Sequence, residues 1–215
     1  MTEPAPPAPA SRPLPPRAAE VVAVARRVLE RDGRDGLTMR SLADEMAIKA
    51  PSLYKHVAGK GAVEISLIEV ALAEIGAALH AAVRRRGNGG GGAGGAGGAS
   101  GPVPAVLTAY RAYARTNPNL YRLATAGPIP RDRLTPGLED WAGEPFLLAT
   151  GDPHRAQALW AFAHGTAVLE LDTRFLPGSD LDRTWAAGAA AFDAPPRHRG
   201  QAHPVPRQDT GQVRR

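Results

Sequence analysis

The 215-residue sequence contains no cysteine and few aromatic residues. The absence of cysteine excludes disulfide bonds and thiolate metal sites, and it is compatible with a reducing compartment. No apolar run approaches the roughly 18 residues that a membrane-spanning helix needs, and the N-terminus lacks the apolar segment of a signal peptide. We therefore expect a cytoplasmic protein that does not interact with a membrane.

The chain also lacks the motifs of common enzyme and nucleotide sites. It has no nucleophile elbow, Walker loop, dinucleotide fingerprint or HExxH sequence. The six histidines are scattered and form no metal-type pair on a predicted helix face. Glu170, six residues after His164, is too weak a partner to indicate acid–base catalysis. We expect a protein that is not an enzyme, with no cofactor and no metal site.

Charge is distributed unevenly around a formal net value of +5. The basic excess lies in the first 86 residues and in the tail from residue 195, whereas residues 102–194 are slightly acidic. This distribution is compatible with a polyanionic partner such as DNA, although its magnitude is small.

Proline and glycine divide the chain into two predicted helical domains. The Pro-rich residues 1–16 and the basic residues 195–215 are predicted to be disordered, and the Gly/Ala-rich residues 87–101 to be a flexible linker. Apolar residues at helical spacing predict an all-α structure for residues 17–86 and 102–194. Within the second domain, residues 127–150 contain four prolines and three glycines, which predicts a loop with short helical pieces around Trp141 and Phe146.

Residues 36–60, GLTMRSLADEMAIKAPSLYKHVAGK, predict two short helices joined by a tight turn. Thr38 is a candidate N-cap for the first helix. Pro51 suits the first turn of the second helix, which we predict to continue to about Val57. The second helix combines one apolar seam with an outer face of hydroxyls, a cation and an imidazole. Such a face suits the DNA major groove, but the same pattern fits a solvated helical hairpin in another α protein.

Residues 17–80 closely resemble the N-terminal domain of the TetR family of transcriptional regulators. The segments GLTMRSLA and APSLYKHV, and Lys60 after them, fall where the family pattern has them. The resemblance implies a two-domain, dimeric repressor that binds a palindromic operator and is released by a small-molecule effector. The alternative is a helical protein that binds a small molecule but does not read DNA sequence.

The same resemblance assigns roles to individual residues of the helix-turn-helix. Thr38, Tyr54 and Lys60 are expected to contact phosphates. Arg40 matches a position that reads guanine in a member of the family, and bidentate arginine–guanine pairing is the commonest specific contact. Ala50 replaces a longer polar residue of that member, which limits base readout there. The predicted DNA contacts are Thr38, Arg40, Lys49, Ala50, Pro51, Ser52, Tyr54, Lys55, His56 and Lys60.

In the second half, YRAYARTNPNLYRLA and WAFAHGTAVLEL resemble the ligand domain of a TetR subgroup that carries a Trp and a His-Gly pair. Effector cavities in this fold lie between helices and are mainly apolar. Uncharged residues that combine bulk with a polar tip predict a neutral or planar, moderately apolar effector, although they suit a plain core equally. The predicted pocket residues are Tyr110, Tyr113, Tyr121, Trp160 and His164.

Two late helices, predicted at about residues 152–171 and 180–193, are rich in alanine and glycine, which permits close helix approach. The resemblance implies a two-fold dimer formed through these helices. The alternative is that both helices line the core of a single chain. The predicted interface residues are Phe162, Thr166, Leu169, Leu181, Trp185, Gly188, Ala189 and Phe192.

Overall fold

A computed structural model describes residues 7–9, 13–87 and 101–193, and all regular elements in these ranges are helical. The helices are α1 (Pro16–Gly36), α2 (Met39–Glu45), α3 (Ala50–Leu53), α4 (Lys60–Gly87), α5 (Pro102–Thr116), α6 (Pro118–Thr125), α7 (Leu138–Thr150), α8 (Pro153–Leu171) and α9 (Leu181–Asp193), with a 3-10 turn at Arg131–Arg133. The predicted all-α class is confirmed. Most of the predicted linker and N-terminal tail, and all of the C-terminal tail, lie outside the described residues.

Local sequence accounts for where several helices begin and end. Proline occupies the first turn of α1, α3, α5, α6 and α8, where its missing N–H costs no hydrogen bond. Asp152 caps α8 by accepting a 2.8 Å hydrogen bond from the Arg155 backbone N–H. The regular part of α1 is interrupted at Gly33, whose φ of 72° is a left-handed conformation that glycine adopts readily.

The loop predicted for residues 127–150 is wrong in its second half, because α7 runs from Leu138 to Thr150 with Pro145 inside it. Pro145 has no N–H to offer the Trp141 carbonyl one turn earlier. His80 Nε2 of α4 lies 3.0 Å from that carbonyl oxygen and donates to it, since a carbonyl only accepts. A partner from another helix thus satisfies the acceptor that proline leaves free.

The described residues form two hydrophobic cores. The first joins α1, α2 and α3 to the N-terminal half of α4, and the second joins the other half of α4 to α5, α7, α8 and α9. Helix α6 contributes to both, since Leu120 and Leu123 lie in the first core and Tyr121 in the second. Apolar residues at helical spacing predict an inward face of α4 at positions 63, 67, 70, 71, 75, 78 and 79; five of these residues are buried, whereas Val70 and Ala78 are half-buried. The candidate DNA-binding unit and the second domain are therefore packed together through α4 and α6.

Candidate DNA interface and ligand cavity

A capping box fixes the start of α2. Thr38 Oγ1 accepts from the Ser41 backbone N–H at 3.0 Å, and the Thr38 backbone N–H donates to Ser41 Oγ at 2.9 Å. These two bonds satisfy donors that the first helical turn leaves free. The predicted N-cap role of Thr38 is confirmed.

The turn after α2 is a Schellman-type ending. The Ile48 N–H donates to the Ala43 carbonyl at 2.9 Å, and the Ala47 N–H donates to the Asp44 carbonyl at 3.1 Å. Ala47 has a φ of 52°, the left-handed conformation that usually belongs to glycine at this position. This turn sets the angle at which the chain enters α3, and it contains a mildly strained alanine.

Regular helix in α3 ends at Leu53, so the prediction that this helix continues to Val57 is wrong by one turn. The next residues form turns in which the His56 and Val57 N–H groups both approach the Leu53 carbonyl, at 2.9 and 3.0 Å. The chain must then reverse at Gly59, whose φ is 120°, to enter α4. Leu53 is fully buried and anchors the segment in the first core.

Most of the predicted DNA contacts are exposed on the helix-turn-helix. Arg40 has 91% of its side chain exposed and lies 4.0 Å from Asp44, too loosely held to be immobilised. The other exposed members of the predicted set are Thr38, Lys49, Pro51, Tyr54, Lys55 and His56, while Ala50 and Ser52 are half-buried. Lys60 differs from them, because its ammonium group donates to the Arg34 carbonyl at 3.0 Å.

In the second domain, four of the five predicted pocket residues form one connected cluster. The Tyr110 and Tyr121 hydroxyls are 3.1 Å apart, and the Tyr121 hydroxyl lies 2.8 Å from His164 Nδ1. The Trp160 ring stacks on His164 at 5.9 Å between centroids and 19° between planes. Burial raises the pKa of both tyrosines and lowers the pKa of His164. The cluster is therefore uncharged at neutral pH.

Tyr113, the fifth predicted pocket residue, lies apart from this cluster. Its hydroxyl donates to Glu74 Oε2 at 3.1 Å. Glu74 also accepts from Arg26 of α1 at 2.9 Å, and the same Arg26 nitrogen donates to Asn117 Oδ1 at 2.9 Å. Tyr113 thus belongs to a polar network that joins α1 to α4, α5 and the start of α6.

A second polar contact between the domains was not predicted. The two Glu30 carboxylate oxygens of α1 accept from the Asn119 and Leu120 backbone N–H groups at 3.2 and 2.9 Å. Asn119 Nδ2 in turn donates to the Glu30 carbonyl at 3.0 Å. Because α6 has no cap from the side chain of its own N-cap residue, Glu30 supplies the anionic cap that its N-terminus favours.

A cavity of about 660 Å³ opens between α4, α6, α7 and α8 and the loop after α6. Of the predicted pocket residues, Trp160 alone lines it. Its wall carries one arginine and three carboxylates, Arg131, Glu139, Asp140 and Glu144. Arg131 and Glu139 pair directly at 2.6 and 2.7 Å. These charged residues lie in the region that the sequence predicted to be loop, which is why they were not assigned to a pocket.

Comparison with known proteins agrees with this architecture. Residues 103–192 match the family model described as the tetracyclin repressor-like C-terminal domain. This chain has the TetR-like fold. No curated protein matches its sequence.

Several solved structures share the fold over most of their length. A protein of unknown function from Rhodococcus sp. RHA1 is 22% identical, with 81% of this chain and 92% of that chain covered and a TM-score of 0.65. The multidrug binding protein EbrR, complexed with imidazole, is 21% identical, with 84% and 97% covered and a TM-score of 0.59. A variant of TetR from Acinetobacter baumannii AYE in complex with minocycline is 21% identical, with 81% and 91% covered and a TM-score of 0.50.

The last two helices of the TetR-like fold pack closely against each other within one chain. The Phe162 ring contacts Trp185 and Phe192, and a Cβ atom at Gly188 would overlap that ring. Three of the eight predicted interface residues, Thr166, Trp185 and Ala189, are buried in this packing. Their side chains are covered within this single chain, so any role in a dimer interface would be indirect. Leu169, in contrast, is 44% exposed.

A partly buried ion pair holds α9 against α5 and α8. Arg111 donates to Glu170 at 2.9 Å and lies 5.6 Å above the Trp185 ring, and Trp185 Nε1 donates to Glu170 Oε2 at 2.9 Å. Burial alone would raise the pKa of Glu170, but the hydrogen bonds from Arg111 and Trp185 outweigh it and keep this pKa below its ordinary value. Glu170 is thus a structural anion with its partners in place, which leaves His164 no acid–base partner there.

The described residues carry neither a metal-type cluster nor a helix that could span a membrane. They contain no group of three histidine, aspartate or glutamate side chains arranged to hold a metal ion. Of the helices in the same ranges, none is both long enough and apolar enough to cross a bilayer.

Proposed function

We propose that this protein is a transcriptional repressor that binds a palindromic DNA operator as a homodimer and is released by a small-molecule effector. The observation that carries the proposal is the helix-turn-helix, in which a capped α2 and a buried Leu53 hold cations, hydroxyls and an imidazole at the surface. The TetR-like fold supports it, because a helical domain with a cavity follows the DNA-binding unit.

Within this proposal the exposed residues divide into base-reading and phosphate-binding groups. Arg40 is almost fully exposed and weakly paired, which leaves its guanidinium available for a bidentate contact to guanine. Lys60 is held by the Arg34 carbonyl at the start of α4, which suits a fixed phosphate contact more than base readout. A single short α3 reads few base pairs, so two heads related by a two-fold axis are needed for a specific site.

Dimerisation through α8 and α9 would use their outer faces. Leu169, Ala158 and Ala161 are exposed on α8, and Ala187 and Ala190 are exposed on α9. Small side chains let helices approach closely, and removing Leu169 from water adds a hydrophobic contribution. The buried Trp185 and the half-buried Phe162 and Gly188 would act indirectly by fixing the angle between the two helices.

The effector response would pass through the contacts that join the domains. Glu30 ties α1 to the start of α6, and Arg26 ties α1 to Glu74 of α4. The cavity is lined by Ala124 and Thr125 of the same α6 and by Leu72 of α4. A ligand there shifts DNA affinity only if it binds one arrangement of these helices more tightly than the other.

DNA binding is tested by fluorescence anisotropy with the DNA upstream of the coding sequence and with a random duplex of equal length. We expect Arg40→Ala to lose about 1–3 kcal/mol of binding free energy for the specific duplex, because it removes the contact to one base pair. Lys60→Ala should weaken binding to both duplexes and reduce the slope of log affinity against log salt concentration by about one. Arg174→Ala, which removes an exposed charge far along the chain, is the matched control. Equal losses on both duplexes for Arg40→Ala would contradict its role.

The short α3 favours a second candidate function. Regular helix ends at Leu53, so the exposed Tyr54, Lys55 and His56 are presented by turns and not by the predicted reading helix. A helical protein that binds a small molecule and does not read DNA sequence would have this feature. Binding of specific and random duplexes with the same affinity by the unaltered protein would select this alternative.

A further inference from the structure

We propose that the cavity between α4, α6, α7 and α8 binds a planar organic cation. This inference rests on the proposed function, since it assigns a chemical class to the effector of that regulator. The cavity of about 660 Å³ is in the range of small-molecule sites. Its lining, described below, differs from that of the aromatic cluster from which the sequence predicted a neutral ligand.

The charge of the ligand follows from the ionised side chains of the wall. Arg131, the one cation of the lining, is neutralised by its two hydrogen bonds to Glu139. Asp140 and Glu144 lie within 4.0 Å of no arginine or lysine nitrogen in the described ranges, and Asp140 feels the Arg131 charge only at longer range. Glu144 lies 3.7 Å from His80 Nε2, but that nitrogen already donates to the Trp141 carbonyl. A cation entering the cavity would therefore meet two carboxylates with no strong partner, and an anion would be repelled.

The planar shape follows from Trp160. This large apolar side chain is 49% exposed at the cavity wall, an unfavourable position for an indole ring in the absence of a partner. The ring does not move freely, because it stacks on His164, which the Tyr121 hydroxyl holds at 2.8 Å. A rigid, half-exposed indole beside carboxylates is suited to stack on a flat ring that carries positive charge.

The remaining wall is apolar and provides room for a ring system. Leu72, Ala124, Ile129 and Leu147 contribute aliphatic surface from four different parts of the chain. Gly143 also lines the cavity, and a Cβ atom added there would meet no atom within 4 Å. A larger side chain at Gly143 can therefore fill the cavity without a clash in the folded protein.

The test measures direct binding to the full-length protein, without DNA, by quenching of tryptophan fluorescence and by calorimetry. The probes are N-methylacridinium, a permanent cation, and acridine, which has nearly the same shape and is neutral at mildly alkaline pH. Acridine carboxylate serves as the anionic probe. We expect the cation to bind about tenfold more tightly than acridine and the anion to bind most weakly. Equal affinity for the cation and acridine would overturn the proposal.

Variants then locate the site. Glu144→Gln and Asp140→Asn should each weaken cation binding about threefold and leave acridine binding unchanged. Asp132→Asn, which removes the same charge outside the lining, is the control. Trp160→Ala should weaken both probes about fivefold, and Gly143→Leu should abolish both while thermal unfolding stays unchanged. Losses for Asp132→Asn equal to those of the lining variants, or full binding by Gly143→Leu, would overturn the assignment to this cavity.

Failure of this inference and failure of the proposed function are distinguishable. If the protein binds specific DNA but has equal affinity for acridine and the cation, the proposed regulator stands and the cationic effector is rejected. Tight cation binding that depends on Glu144 and Gly143, with no preference for specific DNA, would retain the cavity assignment and reject the regulator.

Discussion

The core around Leu29, Leu53 and Leu67 contains only aliphatic side chains among its buried members, whereas the core around Tyr110 and Tyr121 also buries hydroxyl groups. In the first, stability comes from burial without directional bonds, and the polar groups lie outside, where DNA would meet them. In the second, polar groups inside the domain need partners and become sensitive to a nearby ligand. The two regions thus differ in what stabilises their interiors, which is aliphatic burial alone in the first and burial together with hydrogen bonds in the second.

Truncation of the aliphatic core is expected to have the largest effect. Leu29→Ala removes a fully buried side chain of α1 and should lower the free energy of unfolding by about 2–5 kcal/mol, through lost burial and a residual cavity. Urea unfolding measures this change. Leu176→Ala, at a leucine that is 79% exposed, should change stability little. If Leu29→Ala lowered the free energy of unfolding less than Leu176→Ala does, the aliphatic core would not be what stabilises α1, α2, α3 and the first half of α4.

Removal of one hydroxyl tests the polar core. Tyr121→Phe leaves the buried Tyr110 hydroxyl and His164 Nδ1 without their shared partner, which should cost about 1–3 kcal/mol. Tyr54→Phe, at an exposed tyrosine of the head, is the matched control and should be nearly neutral. Identical unfolding curves for Tyr121→Phe and the unaltered protein would mean that the second core does not depend on this cluster.

The junction between the two regions is tested at Glu30. Glu30→Ala removes the acceptor for the first N–H groups of α6 and should destabilise the protein by about 0.5–2 kcal/mol. If this contact makes the two cores unfold together, the unfolding transition of Glu30→Ala should also be broader than that of the unaltered protein. Circular dichroism and tryptophan fluorescence, recorded on the same samples, would then give separate midpoints. Coincident midpoints would show that α4 packing alone couples the regions.

A backbone change in the head is expected to be stabilising. Ala47→Gly places glycine at the left-handed residue of the Schellman-type turn and should add roughly 0.5–1 kcal/mol, after allowance for the greater freedom of glycine in the unfolded chain. Thermal unfolding measures the gain. A lower melting temperature would show that the turn is not strained by its alanine.

The smallest expected effect concerns pH and His164. Burial lowers the pKa of His164 below its ordinary 6.5, so the folded state binds its proton less readily than the unfolded state. The neutral ring therefore makes its full contribution to the free energy of unfolding above pH 6.5. This contribution declines as the pH falls toward the lower folded-state pKa. His164→Gln should flatten the pH dependence of stability in that interval. An unchanged slope would assign the dependence to other groups.

Sequence by itself determined the features that depend on neighbours within about one helical turn. Thr38 caps α2 through Ser41, three residues away, and the apolar spacing in α4 predicted its buried face. The same local patterns indicated the helix-turn-helix and the all-α class, since capping and periodicity act over a few residues. The family resemblance, and not a local pattern, grouped Tyr110, Tyr121, Trp160 and His164, because it covers both segments.

Tertiary structure decided the features that join residues far apart in sequence. The α7 helix contains Pro145 because His80, 61 residues before Trp141, satisfies the carbonyl that proline leaves free. Tyr113 lies apart from the other predicted pocket residues because Glu74, 39 residues away, accepts a hydrogen bond from its hydroxyl. Helix α6 is capped by Glu30, which lies 90 residues before Leu120. Such pairs depend on how helices cross, which no local pattern specifies. The acidic cavity beside Trp160 was not predicted from the sequence for the same reason.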